Sequence, residues 1–186
     1  MARTPSNMIP LGSKAPDFQL PDTVSGQSLH LADIRGEKGT LIAFVCNHCP
    51  FVKHINAGLV ALAEEFQNQG LGFVAISSND VVNYPEDHPD LMTQTAKEEG
   101  YTFPYLYDET QFVAKAYDAA CTPDFYVFDA EDALVYRGQM DDSRPGNGLP
   151  VTGEDLRSAM QALLQGERIS EDQKPSIGCN IKWKTS

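Results

Sequence analysis

Three hydrophobic patterns alternate along the chain. Residues 40–45 form an unbroken apolar run bounded by Gly39, the pattern of a central strand buried on both faces. From Pro50 onward, Phe51, Ile55, Leu59, Leu62 and Phe66 recur at three- and four-residue steps until Gly70, which predicts a long amphipathic helix packed on a sheet. Residues 72–77 read as a second buried strand, so strand, helix and strand predict a parallel, right-handed βαβ unit. Upstream, residues 18–31 alternate around Val24-Ser25-Gly26 and predict a hairpin with Phe18, Leu20, Leu29 and Leu31 on one side.

Beyond the βαβ unit, residues 79–89 form a polar, acidic, proline-bearing loop that leads into a short helix from Pro89 to Glu99, closed by Gly100. A strand is predicted over 103–107 and a helix over 110–120 with Phe112, Val113, Ala116 and Tyr117 on one face. Residues 125–128 and 134–137, on either side of an acidic turn, predict an antiparallel hairpin. Thr152, with Asp155 at the capping-box position, is expected to cap a last helix carrying Leu156, Met160, Leu163 and Leu164. The order predicts an α/β fold of three layers, a mixed central sheet flanked by helices with an N-terminal β-hairpin extension. We read residues 1–186 as one domain, with a flexible lead over 1–14 and a C-terminal tail over 170–186.

Length and charge narrow the function. At 186 residues the chain can bury a substantial core. Its 14 basic and 26 acidic residues leave a net charge of -12 with no Lys/Arg cluster, so neither nucleic acid nor a membrane surface is an expected partner. No apolar run reaches the roughly 18 residues that cross a bilayer. The opening residues lack the apolar stretch of a secretory signal, so a cytoplasmic location is expected. There is no Gly-x-Gly-x-x-Gly, phosphate loop, His-Glu-x-x-His or Gly-x-Ser-x-Gly, and no metal or organic cofactor is expected.

The chemistry lies in Cys46-Asn47-His48-Cys49, at the first strand-to-helix turn of the βαβ unit. Pro50 is of the type favoured at the first helical position, which places Cys49 at the N-cap, where unpaired N–H groups and the helix dipole stabilise a thiolate. Lys53, one turn on, and His48 are candidate thiolate-stabilising cations. Cys46 is close enough to close a small disulfide ring with Cys49. Two other readings stand beside this one: two small buried hydrophobes, or a copper or zinc site drawn from Cys46, His48, Cys49 and His54, with Cys121 able to join.

The run Phe44-Val45-Cys46-Asn47-His48-Cys49-Pro50, with Cys121-Thr122-Pro123 before a strand and the opening Ala15-Pro16-Asp17-Phe18-Gln19-Leu20, resembles the thioredoxin superfamily, and within it the peroxiredoxin-like, AhpC/TSA or redoxin-domain proteins. The resemblance covers nearly the whole chain and implies a thioredoxin-like fold. It also implies a cis proline at Pro123 packed against the thiols and backbone hydrogen bonds from Thr122 to a bound substrate. Two departures accompany it. Peroxidases of the group carry Pro-x-x-x-Thr-x-x-Cys, whereas Ile42 and Cys46 stand at the proline and threonine positions ahead of Cys49. Thioredoxins have an Asp and a Trp ahead of their first cysteine, where this chain has Thr40 and Val45.

Either cysteine can match the family's attacking thiol, and the helix cap favours Cys49. The expectation is a thiol-disulfide oxidoreductase or antioxidant protein with Cys49 as nucleophile, Cys46 as first-choice resolving thiol and Cys121 as a further candidate. Expected partners are a thiol or disulfide protein acting as reductant or substrate, a small hydroperoxide, and a second copy of the chain in a homodimer. The alternative is a thioredoxin-fold copper or zinc chaperone using Cys46, Cys49 and a nearby histidine; a redox-inactive scaffold binding peptides beside Pro123 is a third class. Cys179 stands where some peroxiredoxins hold a resolving cysteine from another subunit, although a packed tail is the simpler expectation for it.

Overall fold

The structure, a computed structural model, describes residues 3–185. Its centre is strand β4 (Gly39–Phe44), buried at every position. The helix that follows, α2 (Pro50–Gln67), buries Val52, Ile55, Leu59, Leu62 and Phe66 and returns the chain to β5 (Leu71–Ser77), which pairs in parallel with β4. After a single 3-10 turn at Pro85–Asp87, helix α3 (Pro89–Glu99) ends at Gly100 in the left-handed conformation (φ 75°) and leads to β6 (Tyr105–Tyr107), parallel to β5. On the other side of β4 lies the antiparallel hairpin of β8 (Asp124–Asp129) and β9 (Leu134–Gly138). The five-stranded order is therefore β6-β5-β4-β8-β9, a mixed sheet.

The sheet separates two cores because alternate residues of β4 point to opposite faces. Leu41 and Ala43 join α2, α3 and the last helix, α5 (Glu154–Gln165). Ile42 and Phe44 join Tyr117, Tyr126 and Phe128, covered by the hairpin of β2 (Gln19–Pro21) and β3 (Ser28–His30) with the short helix α1 (Leu31–Ile34). The hairpin extension and the mixed three-layer architecture match the sequence reading.

Four expectations change. The helix over 110–120 is only α4 (Phe112–Ala116), because Gln111 and Asp118 on its flanks take positive φ. Its buried face is Val113, Ala114 and Tyr117, while Phe112 is 70% exposed. Thr152 lies one residue ahead of the N-cap of α5, which is Gly153: its hydroxyl still accepts from the Glu154 N–H at 3.3 Å, but the amides of Thr152 and Gly153 donate to Asp141, and Asp155 accepts from Gln139 in place of a capping box. The lead over 1–14 is held from β1 (Thr4–Pro5) onward, with Ser6 buried; its first two residues lie outside the described residues.

The tail over 170–186 likewise contains a strand, β10 (Ile177–Asn180), and only its last residue is undescribed. β10 pairs antiparallel with β1 on one side and with β7 (Cys121–Thr122) on the other. This small sheet brings both ends of the described chain against the turn that carries the cysteines.

Candidate active site

Cys49 is the N-cap of α2, with extended backbone angles (φ -64°, ψ 121°) and Pro50 at the first helical position. The sequence places it there because proline tolerates the helix start and lacks the N–H that would otherwise go unpaired. Cys46 lies in the turn leaving β4. All four cysteines are buried, the most exposed being Cys179 at 2%.

The Cys49 Sγ lies 3.1 Å from Cys179 Sγ and 3.2 Å from the Thr122 carbonyl oxygen. Its thiol is pulled down to about 4, chiefly by a hydrogen bond from Cys46, with help from Cys179, the Val52 N–H and Thr122, against the opposing effect of burial. The partners move the other way. Cys46 is pushed well above the ordinary thiol range by its bond to Cys49, by burial and by the nearby Asp87 carboxylate, and Cys179 is raised to about 12 by burial and by Cys49. One thiolate held by two thiols is the electrostatic character of the cluster.

Thr122 and Pro123 sit beside these sulfurs, and the Thr122–Pro123 peptide is cis, as the resemblance implies. The Thr122 hydroxyl is 3.5 Å from Cys46 Sγ. Cys121 points elsewhere: its Sγ donates to the Pro123 carbonyl at 3.6 Å, and burial pushes its thiol far above the ordinary range. Lys53 departs from its expected role. Its side chain is exposed and lines a groove with Asn56 and Glu98, while the groups that lower Cys49 are thiols, a hydroxyl and a backbone amide. His48 is near the cluster, with Nδ1 3.9 Å from Cys46 Sγ.

Two residues of this site escape sequence reasoning. Asp87, fully buried, accepts from the backbone N–H groups of Asn47 (2.8 Å) and His48 (3.1 Å), from Asn79 Nδ2 (2.8 Å), and pairs with His48 Nδ1 at 2.6 Å. The pairing raises His48, and it lowers Asp87 against the cost of burial. The available signal is topological: β4 and β5 are adjacent and parallel, so the loops leaving their carboxyl ends lie side by side. Cys179 is the second. It is visible in the sequence, but its position depends on β10, which no periodicity marks.

Comparison with known proteins identifies the family and the fold. A model of the AhpC/TSA family matches residues 11–137. A search of curated proteins finds no match. Among solved structures, an uncharacterized conserved protein from Geobacillus kaustophilus is 59% identical with a TM-score of 0.98, covering 100% of this chain and 98% of that one. A hypothetical protein from Sinorhizobium meliloti 1021 is 50% identical with a TM-score of 0.96, covering 98% and 100%. The thioredoxin domain of a thiol-disulfide oxidoreductase from Bacteroides vulgatus shares the fold at 20% identity and a TM-score of 0.61, covering 72% and 91%. Among the described residues, no helix is long and apolar enough to cross a membrane.

Proposed function

Because the chain belongs to the AhpC/TSA family and has a thioredoxin-like fold, we propose that it is a thiol-disulfide oxidoreductase in which Cys49 is the attacking thiolate. The observation that carries this reading is the position of Cys49: a helix N-cap, its thiol lowered to about 4, beside Thr122 and Pro123. Cys49 attacks one sulfur of a substrate disulfide, forming a mixed disulfide and releasing the other sulfur as a thiolate. A second thiol of this chain then attacks Cys49 Sγ, passes its proton to a departing substrate sulfur, and leaves an internal disulfide for a partner dithiol to reopen.

Sequence spacing assigned that second step to Cys46. The 3.1 Å approach of Cys179 supports Cys179 for it, with Cys46 as the donor that keeps Cys49 ionised. Disulfides are favoured over hydroperoxides as the electrophile. Ile42 and Cys46 stand where the peroxidase motif has proline and threonine, and Arg137, a candidate for polarising a peroxide, is bonded to the Ile9 carbonyl and to Gln173.

The test is reduction of a small aromatic disulfide by the reduced protein, in single turnover. Cys49→Ser is expected to abolish it, and Cys46→Ser to retain it. Loss with Cys46→Ser and retention with Cys49→Ser overturns the assignment.

A further inference from the structure

One group of side chains extends from Cys46 and includes neither Cys49 nor Cys179. Cys46 Sγ, His48 Nδ1 and a carboxylate oxygen of Asp87 converge so that all three lie within 4.8 Å of one another. Cys46 is 1% exposed and Asp87 0%, whereas the His48 side chain is 23% exposed, so the cluster is enclosed on two sides and open on the third.

We propose that Cys46, His48 and Asp87 form a three-ligand site for one zinc-class divalent cation, with a fourth position open to solvent. Thiolate, imidazole and carboxylate together suit a borderline cation, and three protein ligands with one open place is a familiar zinc arrangement. Tetrahedral bonds of about 2.0 to 2.3 Å put sulfur and nitrogen about 3.5 Å apart and nitrogen and oxygen about 3.4 Å apart. The sulfur-to-nitrogen distance is already 3.9 Å, and the nitrogen-to-oxygen distance, 2.6 Å, opens as the ion replaces the shared proton.

The surroundings are built to hold such ligands. Asp87 is fixed by Asn79 Nδ2 and two backbone N–H groups, the His48 ring stacks on Tyr84 at 5.6 Å, and the Thr122 hydroxyl lies 3.5 Å from Cys46 Sγ. Binding displaces the Cys46 thiol proton and the proton shared by His48 and Asp87, both taken up by buffer. The two anionic ligands balance the charge of the ion. Lys182, 5.5 Å above the Tyr84 ring, is the nearby cation that works against it.

This set differs from the Cys46, Cys49 and histidine set expected from spacing, and it leaves Cys49 and Cys179 outside the coordination while taking Cys46 away as the donor to Cys49. It does not rest on the exchange activity. The test is titration of the reduced full chain with cobalt(II), whose charge-transfer absorption reports bound thiolates and whose visible bands report coordination number. The expected result is one ion per chain, four-coordinate, with the intensity of a single thiolate, displaced by zinc. His48→Gln and Cys46→Ser should each weaken binding at least tenfold, and Cys49→Ser, which removes the group that raises the Cys46 thiol, should not weaken it, with folding of each variant checked by circular dichroism. Absence of stoichiometric binding, two-thiolate intensity, binding that survives His48→Gln, or loss with Cys49→Ser each overturns the site.

Discussion

The sulfur of Cys49 lies 3.1 Å from the sulfur of Cys179, a residue 130 positions further along the chain. Only a modest closure separates that approach from the bond length of a disulfide. Oxidation of the reduced protein with a stoichiometric disulfide is expected to give a Cys49–Cys179 bond, read by peptide mapping. Cys46→Ser should still form it, and Cys179→Ser should accumulate the mixed disulfide on Cys49. A Cys46–Cys49 bond as the sole product returns the resolving role to Cys46.

Removing the strongest donor to the thiolate should raise its pKa. Cys46→Ala is expected to shift the Cys49 thiolate absorbance transition upward from about 4 by about one to two pH units, the worth of a charge-assisted hydrogen bond. A lowered pKa also gives a sign for stability. The Cys49 ionisation stabilises the fold fully above the ordinary thiol value of about 8.5, and that contribution fades as pH falls toward 4. Cys49→Ser should remove this rise, measured by denaturant unfolding at pH 5 and pH 8.

The His48 ring owes its raised pKa first to Asp87. Asp87→Asn should return the His48 titration toward the ordinary histidine value, followed by the ring proton shift in NMR. Asp87→Ala, which also abandons the amides of Asn47 and His48, is expected to cost about 2 to 3 kcal/mol of unfolding free energy. An unchanged His48 titration in Asp87→Asn would rule out this pairing in solution.

Gly178 lets β10 lie close against the end of β7. A Cβ at this position would fall on the Thr122 carbonyl, which is backbone and has no room to give. Gly178→Ala should lower stability by about 2 to 3 kcal/mol and slow closure of the Cys49–Cys179 bond, while Gly146→Ala, with open space around its Cβ, should leave closure unaffected. Equal closure rates in the two variants would separate the strand pairing from the chemistry.

Asp124, wholly buried, is raised to about 7, mainly by burial, and accepts from the Ser6 hydroxyl at 2.8 Å. Its folded pKa lies above the unfolded value of about 4, so its protonated form stabilises the fold fully below pH 4. That contribution is lost as pH rises to 7, a swing on the order of 4 kcal/mol. The unfolding free energy of wild type relative to Asp124→Asn should therefore fall between pH 4 and pH 7 and level off above. A constant difference across that range would mean the carboxyl is ionised throughout.

The parts of the fold legible in sequence are those whose periodicity reflects one dominant packing partner. The β4-α2-β5 unit is readable because its apolar stripe and runs are long, and the N-cap at Cys49 because Pro50 marks it. α4 fails because its boundaries are set by positive φ at Gln111 and Asp118, which the apolar pattern does not encode. β1 and β10 fail because strands of two and four residues have no measurable period, and their pairing depends on chain ends meeting in space. Of the site, Cys46 and Cys49 are readable from local sequence, and Thr122 and Pro123 only through the family resemblance. Asp87 and the juxtaposition of Cys179 are not, because each is delivered by a loop or strand whose place is decided by its neighbours in the sheet.

The pairing of β10 over the thiol also sets an order of events during synthesis. Cys49, Pro50 and the strands flanking them leave the ribosome before Cys179, and at about 5 to 20 residues per second the 130 positions between the two take on the order of ten seconds. Throughout that interval Cys46, Cys49 and the residues of α2 are already synthesised while the covering strand is not. The nascent chain thus carries an open thiol that the finished protein encloses, and small disulfides in its surroundings can reach it most readily before translation ends.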